Sequence, residues 1–272
     1  MFELVDAVLS AEGPAWTLVG LSLVPGCVFL VSVSDDALMS FERRGIPVRD
    51  ALDSAFTTMI AVEPFTLDEA RTWMDRRVIG LPDPFACLCF CLSAGIPREL
   101  VRSAAALHDL YQDSPGIPVQ GAARRIVAAE TAAKLRAFSH SAGRLPASPA
   151  ATDLVVALNT AGLTRGGAAA LLPRLTDLAR SLHTEHDKHR DGEPEVARLA
   201  EEAASHLHLS VTIVELFSHL DAHRLDSLTR AAASPTLEDL AVARRALAVD
   251  PHLSWVLTAR FRDAAGMAAL DR

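Results

Sequence analysis

The stretch that decides the fold of the C-terminal half reads Val196-Ala-Arg-Leu-Ala-Glu-Glu-Ala-Ala-Ser-His-Leu-His-Leu-Ser-Val-Thr-Ile-Val-Glu-Leu-Phe-Ser-His-Leu220. Its first half repeats apolar residues at helical spacing, at Val196, Leu199, Ala203 and Leu207. From Leu207 to Ile213 apolar and polar residues alternate, which is typical of a strand. The helical pattern returns at Val214, Leu216, Phe217 and Leu220, so we predict one long helix.

Helical patterns extend outward from this stretch in both directions. Upstream, a repeat at Leu171, Leu175, Leu178 and Leu182 predicts a helix with one buried stripe. Downstream, Ser234-Pro235 and Asp250-Pro251 each pair an N-cap residue with a proline suited to the first turn, and so predict two final helices. We expect the second of these to bury Leu253, Val256, Leu257 and Phe261.

Three more helices are predicted before the linker that runs from Asp113 to Pro118. Thr66-Leu-Asp-Glu69 is a capping box, which predicts a helix to about Arg77. A cysteine-rich helix follows from Asp83 to Ala94-Gly95, and Pro97 begins another that runs through Leu110.

Apart from the alternation at 207–213, strand signals occur only near the N-terminus, at residues 27–33 and 58–62, with a predicted helix between them. This order is typical of a parallel α/β unit. The predicted fold class is therefore mainly α, with a small α/β remnant of about two parallel strands. The predicted domains are an α/β core at 1–65, a small helical lid at 66–112 and an all-α C-terminal domain at 113–272.

Composition narrows the classes of partner. The 272 residues carry 26 Lys and Arg against 34 Asp and Glu, a formal net charge of −8, which argues against nucleic acid as the main partner. Half of the residues are hydrophobic, which excludes a disordered chain. The uncharged run 16–33 is the membrane candidate, but Pro25-Gly26 interrupts it and acidic residues precede it where a signal anchor has basic ones. We therefore expect no membrane partner and a cytoplasmic location.

The cysteines do not form a recognisable framework. Four in a chain of this length make no disulfide scaffold, and Cys87, Cys89 and Cys91 stand at every second position rather than in the spaced pairs of zinc sites. We predict buried, reduced thiols on a helix.

Histidines cluster in His183-Thr-Glu-His-Asp-Lys-His189. On a helix the first two imidazoles share a face and could bind a divalent ion, so a metal-dependent enzyme is one alternative. The third imidazole is displaced around the helix, and the surroundings are charged. These features favour a solvated polar helix end, and we predict no metal site.

Three segments in order carry a resemblance to a known family. They are Phe29-Leu-Val-Ser-Val-Ser-Asp-Asp-Ala-Leu38, Phe41-Glu-Arg-Arg-Gly-Ile-Pro-Val-Arg-Asp50 and Leu92-Ser-Ala-Gly-Ile-Pro-Arg-Glu-Leu-Val-Arg102. They resemble the sensor strand, the arginine-bearing stretch and the G-x-P-R lid of AAA+-like and related signal-transduction P-loop NTPases, including the origin-recognition type. The resemblance spans Cys27 to Arg102, little more than a quarter of the chain.

In such an NTPase, residues at these positions contact nucleotide phosphates, so the resemblance implies this role for Ser34, Arg43, Arg44, Arg49 and Arg98. Arg98 stands in the first turn of its predicted helix, where the helix N-terminus also favours an anion.

Each of these residues also has a structural interpretation. Ser34 can be an N-cap, and the three arginines from Arg43 to Arg49 can form surface pairs with Glu42, Asp50 and Asp53. Arg98 can pair with a neighbouring acid at a simple turn between helices.

The sequence departs from the family where catalysis is concerned. It contains no Walker A motif G-x-x-x-x-G-K-[ST] and no Walker B acids at the end of an upstream strand. Without the P-loop lysine and the magnesium-holding acid, the phosphates are neither positioned nor neutralised. We expect that the chain alone neither hydrolyses nor tightly binds ATP, and we predict no catalytic residue and no cofactor outside a complete NTPase site.

The sequence thus predicts a non-catalytic regulatory or scaffolding protein derived from a P-loop NTPase and acting through protein contacts. One alternative is a stand-alone helical interaction module with no nucleotide role. Another is a subunit that supplies arginines in trans to a full-length NTPase. An orphan pair of strands exposes edges and an apolar face, so we also expect self-association or a protein partner.

Overall fold

The computed structural model describes residues 63–78, 80–160, 171–230 and 234–270. By its internal contacts the chain divides into Met1–Glu63 and Pro64–Arg272, so all described residues except Glu63 belong to the second unit. The predicted strands at 27–33 and 58–62 lie outside the described residues.

The described part of the chain forms ten α-helices and contains no strand, which confirms the mainly α prediction for this part. The helices are α1 (Leu67–Asp75), α2 (Asp83–Ser93), α3 (Pro97–Asp113), α4 (Val119–Ala142), α5 (Pro149–Thr160), α6 (Leu171–His189), α7 (Pro194–Ser218), α8 (Ala222–Thr229), α9 (Leu237–Ala246) and α10 (Pro251–Ala264).

The predicted starts of the first helices are confirmed. Thr66 Oγ1 accepts a hydrogen bond from the Glu69 amide at 3.3 Å, and the Glu69 carboxylate accepts one from the Thr66 amide at 2.8 Å. This reciprocal pair is the predicted capping box. Helix α2 ends where Ala94 and Gly95 adopt φ angles of 55° and 75°, and Pro97 occupies the first turn of α3.

The predicted start of α9 is wrong. Ser234-Pro235 lies before the helix, and the N-cap is Thr236, whose Oγ1 accepts from the Asp239 amide at 3.3 Å. The Asp239 carboxylate in turn accepts from the Thr236 amide at 2.8 Å. Two reciprocal bonds are available at Thr236, whereas a serine cap would satisfy one backbone donor, so the helix begins later. The predicted cap of α10 is confirmed, since Asp250 Oδ1 accepts from the Leu253 amide at 2.9 Å.

The predicted buried face of α10 is only partly correct. Phe261 is buried, but Leu253 is 45% exposed. The buried residues of the helix are Ser254, Trp255, Thr258, Phe261 and Arg262. Arg262 can be buried because the Glu215 carboxylate of α7, 2.8 Å from its Nη2, balances its charge. Trp255 buries the apolar area that the prediction assigns to the aliphatic side chains of α10.

The core consists of two apolar clusters. The first includes Met74, Leu88, Phe90, Leu100, Val127, Phe217, Leu240 and Phe261. The second includes Leu135, Leu154, Leu175, Leu182, Leu199, Leu207 and Trp255. The two longest described helices, α4 and α7, contribute to both clusters, and α6, α4 and α10 all pack against α7.

The helices predicted as a lid share the first cluster with α4, α7 and α9. They also belong to the same unit, Pro64–Arg272, as the rest of the described helices. The predicted domain boundary between residues 112 and 113 stays a prediction.

Replacing Gly95 with alanine should destabilise the protein by about 3 kcal/mol or more. A Cβ at this position would lie 2.1 Å from the backbone oxygen of Phe65, and the residue has a φ of +75°. The clash also opposes the hydrogen bond from the Phe65 amide to the Gly95 oxygen, which is 2.8 Å long. Urea unfolding monitored by circular dichroism measures the effect.

Gly116 provides the matched control because its φ is +77° and a Cβ there meets nothing within 4 Å. Gly116→Ala should therefore cost only the conformational strain, about 1 kcal/mol. Equal losses in the two variants would show that the contact between Phe65 and Gly95 contributes nothing.

Candidate functional site

The structure describes one of the five predicted phosphate-contacting residues. Arg98 is exposed in the first turn of α3, three residues after the tight turn at Gly95. Ser34, Arg43, Arg44 and Arg49 lie outside the described residues.

The alternative interpretation of Arg98 holds in one respect. Gly95-Ile96-Pro97 does form a turn between two packed helices. The expected ion pair is not found among the described residues, because the nearest acid along the helix, Glu99, binds Arg102 at 3.0 Å instead. The guanidinium of Arg98 therefore stands in solvent at a helix N-terminus, where it could meet an external group.

The prediction for the cysteines is confirmed at the three described positions. Cys87, Cys89 and Cys91 are free thiols, fully buried in α2. Burial raises the pKa of Cys87 and of Cys89 to about 12, and that of Cys91 well above its ordinary value. A cysteine reacts or binds a metal as the thiolate, and the raised pKa values keep these three thiols protonated. They therefore act as small apolar side chains.

The predicted solvated end of α6 is wrong for its first histidine. The His183 ring stacks on Trp255 of α10, with centroids 4.1 Å apart and an angle of 7° between the rings. The exposed Asp187 and Lys188 do fit the prediction. The position of the His183 ring is decided by Trp255, an aromatic partner more than seventy residues away, and not by the charged residues around it. The local sequence does not reveal this partner.

The described residues contain no group of three or more His, Cys, Asp or Glu side chains placed to hold a metal ion. Among the same residues, no helix is long and apolar enough to cross a membrane.

A group of polar side chains is buried around α7, and none of the sequence predictions includes it. They come from α7 itself, from α4 and from α10, and they are Thr131, Ser205, His206, His208, Ser210, Thr212, Ser254, Thr258 and Arg262. The signal was present, since polar residues stand at every second position from His206 to Thr212. By spacing alone the alternation fits a strand or a helix, and in the structure it belongs to a helix whose polar side chains are buried as well.

Arg262 is the one arginine of this polar group and is 3% exposed. Its Nη1 donates to Thr212 Oγ1 at 3.1 Å and its Nη2 donates to Glu215 at 2.8 Å. Its Nε donates to the backbone oxygen of Ala268 at 2.9 Å. The residue therefore ties α10 to α7 and holds the segment that follows α10 against the helices.

His208 differs from Arg262 because neither of its ring nitrogens has a hydrogen-bond partner among the described residues, although the ring is fully buried. Trp255 lies beside it, with ring centroids 4.2 Å apart. Burial, with the charges of Arg262 and His183 in second place, lowers the pKa of His208 to about 3. The ring is therefore neutral at physiological pH and presents one donor and one acceptor.

A cavity of about 300 Å³ borders this ring. Its walls include His208 from α7, Arg262 and Asp263 from α10, and Met267 and Leu270 from the segment after α10. The His208 ring has no accessible surface, so the cavity does not expose its two unpartnered nitrogens.

The chain matches no protein-family profile, no curated protein and no solved structure. What it does must therefore be argued from its own residues.

We expect the free energy of unfolding to fall as the pH falls from about 6.5 towards about 3. Burial lowers the pKa of His206 and of His208 from the ordinary 6.5 to about 3 in the folded chain. Within this window the unfolded chain binds protons that the folded chain does not. Each ring then lowers stability by up to about 1.4 kcal/mol per pH unit, which urea unfolding between about pH 7.5 and pH 5 measures.

The double variant His206→Gln/His208→Gln should have a shallower pH dependence than the parent, whatever its stability at neutral pH. The exposed His223 supplies a control, and His223→Gln should keep the parent slope. If the double variant keeps the parent slope as well, the two buried rings do not resist protonation in the folded chain.

Proposed function

We propose that the chain is a non-catalytic regulatory or scaffolding protein that acts through protein contacts, and that α3 forms the contact surface. The observation that carries the proposal is the exposed side of α3, which we call the α3 face. It comprises Arg98, Val101, Arg102, Ala105, His108, Asp109 and Gln112. These residues are exposed and lie on one side of the helix at the spacing of its turns.

The α3 face combines apolar and charged side chains. Val101 is 51% exposed, and so is Tyr111 at the edge of the face. Ala105 stands at the middle of the helix, where a small side chain permits close approach by another helix. An exposed apolar strip rimmed by charges is typical of a protein contact rather than of a purely solvated surface.

The charges on the α3 face favour a second copy of the chain as the occupant. Arg98 and Arg102 stand in the N-terminal half of the helix, and Asp109 and Asp113 stand in the C-terminal half. Two copies of α3 related by a twofold axis through Ala105 would be antiparallel and would place each arginine half against an acidic half. One helix face is small for a stable interface, so we expect weak association, with a dissociation constant of tens of micromolar, roughly.

A second candidate function rests on the solvent-exposed position of Arg98 at a helix N-terminus. In this proposal the residue reaches a phosphate in the site of a neighbouring full-length NTPase, as arginine fingers do. The resemblance of residues 92–102 to an NTPase lid supports this candidate. The resemblance of residues 29–38 to the sensor strand of the same family supports an N-terminal remnant of two parallel strands. ATP and magnesium would then belong to the complete site, not to this chain alone.

The alternative of a stand-alone helical interaction module with no nucleotide role would use the same α3 face. The candidate that acts in trans differs from both in its use of Arg98, because Arg98→Ala should lower the ATPase rate of a partner enzyme only if the residue acts in trans. A cytoplasmic location completes the proposal, supported by three reduced and buried thiols in α2.

Charge reversal across the α3 face tests the self-association. Arg98→Asp and Asp113→Arg should each weaken the dimer about tenfold, since each places like charges together, and the double variant should restore it. Sedimentation velocity between about 5 and 300 µM measures the dissociation constants.

Val249→Glu is the matched control, because Val249 is 64% exposed and lies outside α3, after α9. It should leave the dimer unchanged. A parent chain that sediments as a monomer at every concentration, or a double variant no better than the single ones, contradicts an antiparallel contact through α3.

A further inference from the structure

We propose that the exposed side of α4 binds an acidic helix of a partner protein. We call this surface the α4 face, and it consists of the exposed side chains between residues 125 and 144, on α4 and in the turn that follows it. It is separate from the α3 face, and the proposal does not rest on self-association. The charge of the α4 face carries the proposal, and the arrangement of its cations decides the kind of partner.

The α4 face carries charge of one sign only. Its cations are Arg125, Lys134, Arg136 and Arg144, and no exposed residue between 125 and 144 is acidic. The one acid in the sequence of α4, Glu130, is partly buried and pairs with Arg244 of α9. The surface is therefore locally positive, although the chain as a whole has a formal net charge of −8. A positive surface on an acidic protein favours a partner that brings negative charge.

The cations of the α4 face are not neutralised within the described part of the chain. The side chains of Lys134, Arg136 and Arg144 make no hydrogen bond or ion pair with any described residue. Arg125 Nη1 donates to Ser114 Oγ at 2.7 Å, but a hydroxyl carries no charge, so the positive charge of Arg125 is not balanced. All four cations can therefore pair with the carboxylates of a partner. Because one exposed ion pair contributes little, recognition requires several pairs together.

The cations lie along both edges of the exposed side of α4. Lys134 and Arg136 are two residues apart, which places them roughly 160° from each other around the helix. Ala129, Ala133 and Ala137 are exposed at every fourth position and lie between these edges. A helix that packs along the alanines therefore has a cation on either side. Its own acids must then flank both sides of its contact stripe.

The same arrangement favours an acidic helix over a nucleic acid. A DNA duplex presents one phosphate charge about every 1.7 Å along its axis, and its binding proteins meet it with donors to phosphates or with aromatic rings that stack on bases. The alanine methyl groups between the cations of α4 supply neither. The overall charge of −8 also repels a duplex more strongly than a short helix with a few carboxylates.

A designed peptide supplies the probe. It is labelled with fluorescein and contains three copies of the heptad Ala-Ala-Gln-Leu-Glu-Ala-Glu, which places glutamates on both sides of a stripe of alanine and leucine. By fluorescence anisotropy in about 50 mM NaCl, we expect a dissociation constant of about 50 µM. The same peptide with glutamine in place of glutamate, and a DNA duplex of about 20 base pairs, should each bind at least about tenfold more weakly. Salt at about 0.5 M should also weaken the binding of the glutamate peptide about tenfold.

The double variant Lys134→Glu/Arg136→Glu should weaken the binding of the glutamate peptide at least about tenfold, because it reverses the charge on both edges of the α4 face. Arg190→Glu/Arg260→Glu is the matched control, since it changes the net charge equally at two exposed arginines outside α4. It should retain binding, and so should Arg98→Asp on the α3 face.

Ala133→Trp gives a second variant that keeps every cation of the α4 face and places a bulky side chain on the alanine stripe. It should also weaken binding at least about tenfold, because the partner helix can no longer approach closely. Circular dichroism checks that the variants keep the helical fold.

The proposal is overturned if the glutamate peptide does not bind at about 1 mM, or if the glutamine peptide binds equally well. Peptide binding that survives both Lys134→Glu/Arg136→Glu and Ala133→Trp also contradicts it, because the peptide then binds elsewhere. A DNA duplex that binds as tightly as the glutamate peptide would assign the α4 face to nucleic acid instead.

Discussion

The structure of Pro64–Arg272 depends on the burial of α7 around its whole circumference. Every residue from Ala203 to Val214 is buried, which an amphipathic surface helix does not permit. The polar side chains of α7 are then buried with the apolar ones, and several find partners on the spot. Thr212 and Ser218 donate to the carbonyl oxygens of His208 and Val214 at 2.8 and 2.6 Å, and Thr131 of α4 donates to Ser210 at 3.3 Å.

The position of α7 also explains why both apolar clusters belong to one unit. Its N-terminal half contributes Leu199 and Leu207 to one cluster, and its C-terminal half contributes Ile213 and Phe217 to the other. At the point where the clusters meet, α7 presents its unpaired polar ring, His208, to α10. The burial of α7 on all sides thus leaves the His208 ring without a hydrogen-bond partner among the described residues.

Local sequence predicted what local hydrogen bonds determine. The capping box at Thr66, the turn at Gly95 and the proline starts at Pro97 and Pro251 are confirmed, since each depends on atoms a few residues apart. The errors arise where distant residues decide. His183 is covered by Trp255, and the buried face of α10 turns towards Glu215, neither of which spacing along one helix can reveal. Of the five residues predicted to contact nucleotide phosphates, the structure describes only Arg98, which is exposed. The cavity beside His208 is not predicted from the sequence.

Hydrogen exchange of the α7 amides tests most directly whether this helix is the element on which the rest depends. The account predicts that amides from Leu207 to Phe217 exchange only through global unfolding, with the free energy that urea unfolding gives. The short helix α8 should exchange through smaller, local openings. If the α7 amides exchange through openings more than about 2 kcal/mol below the global value while other helices stay protected, the central role of α7 is contradicted.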